Sequence, residues 1–188
     1  MGEHLSATGV LIGVIAGAVF ALGTAPAGAA AERAPEPAKP VDAARFYTGV
    51  WREIGRRPVK LTDGCVAGAT EYTLLSPTRV KVRDTCTNRT PSGAVKALGG
   101  PGTILDPGKN AKLHVSYRFL GLFPVDRDFW VLDHADDYSW FISADPTFHD
   151  LWIYTRDPRV DAAERAQLVD RAKALGYDVS KLEFPAQP

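Results

Sequence analysis

The sequence predicts an all-β domain, a sandwich or a barrel, flanked by one C-terminal helix. Three observations carry the prediction. Short segments of alternating apolar and polar residues succeed one another with turn residues between them, which is the pattern of such folds. A tryptophan stands at the head of the first segment, in Phe46-Tyr47-Thr48-Gly49-Val50-Trp51-Arg52-Glu53-Ile54, where a large ring can plug one end of a barrel. The only two cysteines, Cys65 and Cys86, fall on either side of a turn signal, Ser76-Pro77, as they would on neighbouring strands of one hairpin.

The chain of 188 residues has room for one medium domain and an N-terminal appendage. Its 22 Lys and Arg balance 22 Asp and Glu, so nothing in the charge suggests nucleic acid or an anionic membrane face as partner. Four tryptophans and six tyrosines are enough to line a cavity or to fill a core.

Val10 to Leu22 is strongly apolar but shorter than the roughly 20 residues of a membrane span. Ala27-Gly28-Ala29 offers an Ala-x-Ala site, so residues 1–29 are expected to be a signal peptide. Met1 to Gly9 lacks Lys and Arg, which leaves an uncleaved N-terminal anchor as the alternative. Residues 30–44 are rich in alanine and proline and predict a flexible linker, with the domain itself spanning 45–185.

Strands are expected at 49–57, 65–75, 78–88, 92–105, 111–118, 128–135, 138–144 and 149–156. An even cysteine count in an exported chain favours a Cys65–Cys86 disulfide, with the two residues facing each other across the second and third strands. Matching Tyr72 and Leu74 to the face of Val80 and Val82 requires one bulge, placed at Ala67-Gly68-Ala69. The fourth strand is interrupted by Gly99-Gly100-Pro101-Gly102 and is expected as an edge, a bulged strand or two pieces. Residues 118–127 are expected as a loop. After the last strand, Asp161 with Glu164 reads as a capping box, Leu168, Ala172 and Leu175 share one helical face, and Gly176 supplies the stop. Tyr177 to Pro185 returns as a short strand or extended tail.

From Phe46 to Phe184 the order of parts resembles the lipocalins. Gly49-Val50-Trp51 is similar to that family's first motif, and Leu151-Trp152-Ile153-Tyr154-Thr155-Arg156-Asp157-Pro158 to its final-strand motif. The bacterial lipocalin and apolipoprotein D branch resembles it most, through Gly49 to Arg56, Lys112 to Tyr117 and Phe129 to Asp133. The family's middle motif departs here, since Ala135-Asp136-Asp137-Tyr138 keeps an acidic residue and the tyrosine but no threonine. The resemblance implies an eight-stranded antiparallel up-and-down β-barrel. In it Gly49, Trp51 and Arg156 are structural, the arginine packing across the indole. It also implies a cup that holds a small apolar ligand, such as a fatty acid or lysophospholipid, for transport or storage. A lipid anchor is not expected, because no cysteine follows the apolar run.

Positions resembling Tyr72, Tyr117, Phe129 and Trp152 contact ligand in that family. Strand parity adds Val115, Val131, Trp140 and Tyr154 to the expected lining, with Tyr138 and Ile142 on the face of Trp140. The alternative is that these rings fill a solid barrel. The apolar stretch within 118–127 is expected either to make transient membrane contact at the rim or to fold back on the barrel. The protein is expected to be exported to an extracellular or periplasmic space, as a monomer or weak dimer. No metal, cofactor or catalytic residue is expected: the histidines show no ligand spacing and no serine sits in a Gly-x-Ser-x-Gly elbow. Two rivals stand beside the carrier: a lipocalin-fold isomerase or synthase with a free thiol, and haem binding through His114, His134 or His149.

Overall fold

The computed structural model describes residues 1–2, 33–119 and 123–187. Apart from its first two residues, the expected signal peptide lies outside them. Eight strands, β1 (Thr48–Arg56), β2 (Cys65–Ser76), β3 (Arg79–Asn88), β4 (Val95–Ile104), β5 (Lys112–Phe119), β6 (Phe123–His134), β7 (Trp140–Ala144) and β8 (Leu151–Thr155), run antiparallel in sequence order. β8 pairs back onto β1, which closes the barrel and leaves no free sheet edge.

Strand alternation divides the apolar residues into two cores. In β3, Val80 and Val82 face inward while Arg79, Lys81 and Arg83 face solvent. The inner core gathers around Phe46, Tyr47, Trp51, Leu113 and Phe141. The outer core lies between the barrel wall and a C-terminal helix. Ile54, Leu132, Ile142, Leu151 and Ile153 meet Leu168 and Ala172 there. That helix spans Ala162–Ala174, with Asp161 accepting from the Glu164 N–H at 2.8 Å and Gly176 at φ +94° ending it, as the capping pattern predicts. The tail beyond it forms one 3₁₀ turn, Val179–Lys181, and an isolated bridge from Glu183 to Arg56.

The lower end of the barrel is sealed by a turn that precedes β1. Asp42 caps a short helix, Ala43–Phe46, accepting from the N–H groups of Ala44 at 3.0 Å and Arg45 at 3.2 Å. This turn places the Phe46 ring 5.2 Å from Trp51, whose indole nitrogen donates to the Phe46 carbonyl at 3.1 Å. The Arg156 guanidinium covers the other indole face, 3.5 Å from the ring centroid. Gly49 supplies the turn into β1: it sits at φ +77°, where a side chain is strained, beneath the Arg156 guanidinium.

Several expectations are corrected. Residues 33–44 are not a free linker but a strap on the barrel. Val41 donates to the Lys109 carbonyl at 2.7 Å, Ala34 to that of Pro146 at 3.2 Å, and Lys39 pairs with Asp133 at 3.2 Å. Proline prevents regular structure in this segment but not docking, because its few backbone donors find partners on the barrel. β6 begins at Phe123 rather than near 128, with Phe119 opposite Phe123 and Arg118 opposite Pro124. The expected 118–127 loop is therefore mostly a hairpin, and its tip, 120–122, lies outside the described residues. The disulfide is present, with Cα atoms 5.4 Å apart. Its cysteines are not directly opposed, because Cys65 faces Asn88. The bulge between Val66 and Ala69 shifts the register, and the bridge runs diagonally. A second shift lies between Leu74 and Ser76.

The fourth strand is continuous. β4 pairs with β3 along its whole length but with β5 only at Gly102–Ile104. Glycine is required there, since a Cβ on Gly100 would lie 2.0 Å from the Ser116 carbonyl oxygen.

Candidate functional site

The inner face of the barrel has two levels. At the floor, Phe46, Tyr47, Trp51, Tyr138 and Phe141 are buried and pack ring against ring, with Phe46 and Phe141 4.8 Å apart at 68° and Trp51 and Phe141 4.7 Å apart at 82°. Above the floor the packing opens. Asp84, Leu98, Phe129 and Trp152 project inward by the alternation of their strands, yet each keeps partial exposure. Solvent thus still reaches these inward side chains, unlike those of the floor.

Of the eight residues expected to line the cup, seven face the interior. Tyr72, Val115, Tyr117, Val131 and Tyr154 are buried in the inner core, and Phe129 and Trp152 pack against it from above, 5.1 Å apart. Trp140 does not face inward. It lies on the outer wall beneath the C-terminal helix, with the Arg171 guanidinium 4.7 Å above its ring, and Ile142 shares that side. Phe141 takes the inward place in β7, stacked on Tyr154 at 4.7 Å. Trp140, Phe141 and Ile142 are apolar on both faces because this part of β7 is covered on both, so alternation could not fix its phase.

The sequence also gave no place to the polar groups of the interior. Asp84 continues the inward series Val80, Val82, and Tyr117 donates its hydroxyl proton to Asp84 Oδ2 at 2.6 Å. Burial lifts the Asp84 carboxyl above the usual carboxylate range, against the opposing pull of the Thr70 and Tyr117 hydroxyls. Thr70 Oγ1 is itself buried, beside Asp84 but without a well-aligned partner. Burial, with the Asp84 charge as a further cause, raises the phenols of Tyr72 and Tyr117. Burial likewise raises Tyr154, where Glu53 and then Asp84 add to it. A charged residue in phase with inward valines was the available signal for Asp84.

A second polar group stands near the barrel mouth. Arg56 donates to Glu53 at 2.6 Å, to Glu183 at 2.7 Å and to the Cys65 carbonyl at 2.8 Å, tying β1, β2 and the C-terminal tail together. Burial raises the Glu53 carboxyl, and Arg56 offsets part of that. A separate groove of about 480 Å³ lies on the outside of β3 and β4, against Leu75, Lys81, Arg83, Ala97 and Pro101. It belongs to the outer wall, not the cup.

None of the three candidate haem ligands presents a free ring nitrogen to the upper barrel, although His134 is buried and stacks on Tyr138 of the floor at 5.0 Å. His114 lies on the outer face of β5 with Nδ1 2.7 Å from Asp128 Oδ1. Both ring nitrogens of His134 sit against backbone carbonyls, of Ala135 at 2.9 Å and Pro40 at 3.2 Å. His149 is exposed in the turn between β7 and β8. Both cysteines are in the bridge, which leaves no thiol of the kind the isomerase alternative needs. Among the described residues no His, Cys, Asp and Glu cluster could hold a metal, and no helix is long and apolar enough to cross a membrane.

A family model described as a lipocalin-like domain matches residues 41–187. Temperature-induced lipocalin-1 of Arabidopsis thaliana is 32% identical over 147 residues, covering 75% of this chain and 77% of that protein. Putative lipocalin R877 of Acanthamoeba polyphaga mimivirus is 30% identical over 140 residues, covering 72% and 79%. Among solved structures, insecticyanin of the tobacco hornworm Manduca sexta superposes with a TM-score of 0.64 at 18% identity, covering 81% of this chain and 84% of that one.

Proposed function

The chain belongs to the lipocalin-like domain family, and from that premise we propose that it binds a small apolar ligand in the upper barrel, for transport or storage rather than catalysis. The observation that carries this reading is the pair Phe129 and Trp152, two large rings that point inward over a sealed aromatic floor and still keep accessible surface. Rings in that position leave room for a chain beside them. A lipid such as a fatty acid or lysophospholipid suits mostly apolar walls, since each buried CH₂ contributes about 0.8 kcal/mol. The motifs Gly49 to Arg56 and Phe129 to Asp133 favour the bacterial lipocalin and apolipoprotein D branch. An exported protein fits the Cys65–Cys86 bridge and the apolar N-terminal stretch. The β5–β6 hairpin, with Val125 43% exposed, is suited to transient membrane contact at the rim.

N-phenyl-1-naphthylamine, an uncharged reporter that fluoresces in apolar surroundings, tests the cup. Saturable binding is expected, weakened about tenfold by Trp152→Ala through lost contact area. Absence of saturable binding, or binding indifferent to Trp152→Ala, counts against the proposal.

A further inference from the structure

We propose that Asp84 is the anchor for the ammonium group of a cationic amphiphile, a long-chain amine whose tail lies along Leu98, Phe129 and Trp152. This deepens the reading of the barrel as a lipid cup and rests on it.

Asp84 is the third inward residue of β3 after Val80 and Val82, a position where an apolar side chain would be the cheaper choice. Its hydrogen bond comes from a neutral hydroxyl, that of Tyr117, and among the described residues it has no ion pair. The other charged group inside the barrel wall, Glu53 on β1, is already matched by Arg56. From β2, Asp84 meets Thr70 and Tyr72, from β5 Tyr117 and from β8 Tyr154, all neutral hydroxyls, and from β1 it feels the Glu53 carboxyl, whose own charge Arg56 holds. On β6, Arg127 shares the inward phase of Phe129 and Val131 and its charge reaches Tyr117, but it is half exposed and pairs with Asp150 at 3.7 Å rather than with Asp84. Among the described residues Asp84 is therefore the inward carboxyl without an ion pair, while Glu53 and Asp150 each have one.

That balance discriminates among lipid head groups. A fatty-acid carboxylate would bring a like charge to Asp84 and would be disfavoured. A neutral alcohol would gain a hydrogen bond alone. An ammonium group would gain a charge-assisted hydrogen bond and, beside the Tyr72, Tyr117 and Tyr154 rings, attraction to aromatic faces. Asp84 stands above the sealed floor on a residue that keeps partial exposure, so an amine entering from the mouth meets it before the floor stops deeper entry. An unpaired carboxyl in a protein interior costs stability, which a ligand cation would restore.

The test uses the full chain, N-phenyl-1-naphthylamine as reporter, and three competitors of equal chain length: hexadecylamine, hexadecanol and palmitate. The amine is expected to displace the reporter at roughly tenfold lower concentration than the alcohol, with palmitate weakest. Asp84→Asn should bring the amine to the level of the alcohol while reporter binding persists. Tyr117→Phe, which keeps the carboxyl, should keep the amine preference. Equal displacement by amine and alcohol in the unaltered protein, or an amine preference that survives Asp84→Asn, overturns the anchor and leaves the cup standing. Failure of all three competitors to displace the reporter overturns the cup and the anchor with it. Should Asp84→Asn not fold, the ranking in the unaltered protein still decides.

Discussion

The Arg156 guanidinium lies 3.5 Å over the Trp51 ring and donates from Nη1 to the carbonyls of Thr48 and Val50, each at 3.0 Å, so the end of β8 clamps the start of β1. Closure of the barrel at its floor depends on this stack. Trp51→Ala should cost about 3–5 kcal/mol through cavity formation. Arg156→Lys, which keeps the charge but loses the planar fork, should cost about 1–2 kcal/mol. Urea midpoints of the two variants check both the order and the size.

The disulfide closes a segment with a sequence separation of 21. Loss of the bridge in Cys65→Ser with Cys86→Ser should lower stability by about 3 kcal/mol in the chain-entropy model. Comparison of denaturation curves with and without reductant should give the same difference. An unchanged midpoint would show that the bulged hairpin holds its register unaided.

Asp84 makes a pH prediction with a definite sign. Its carboxyl is held above the usual range by burial, so the folded state retains a proton that the unfolded chain has already released. The associated stability is present below the ordinary carboxylate range and is lost as pH rises through the raised value. Asp84→Asn removes this loss. The variant should therefore gain in Tm relative to the unaltered protein as pH rises from about 4 to about 8. A Tm difference that does not change over that interval would contradict the assignment.

Trp140 separates stability from binding. It packs between the outer wall and the C-terminal helix, so Trp140→Ala should destabilise by about 3 kcal/mol with reporter affinity unchanged. Trp152→Ala should show the reverse emphasis. Parallel unfolding and reporter titrations of the two variants make the comparison.

Much of the barrel was legible because strand alternation has a period of two and one face of most strands is solvated. Val80 and Val82 against Lys81 and Arg83, or Leu113, Val115 and Tyr117 against His114 and Ser116, declare their faces without any tertiary information. Where both faces are covered the signal vanishes, as at Trp140-Phe141-Ile142, and the phase of β7 was inverted. The pairing of 118–119 with 123–124 hid for a related reason: a run of apolar residues without alternation, broken by proline, looks like a loop although backbone pairing extends the strands through it. The strap at 33–44 was misjudged because composition reports the tendency to form regular structure and says nothing of docking.

By itself the sequence determined the number of strands, the helix with its caps and the pairing of the two cysteines, because each depends on local periodicity, turn chemistry or residue count; the antiparallel up-and-down order came from the resemblance of its motifs to the lipocalins. Only the tertiary structure decided which side of β7 is inside, where the prolyl strap lies, and that Asp84 stands among the buried tyrosines with no ion pair among the described residues. Those outcomes depend on contacts between residues far apart in the chain, and the energy of such a contact resides in the pair, so no local pattern contains it.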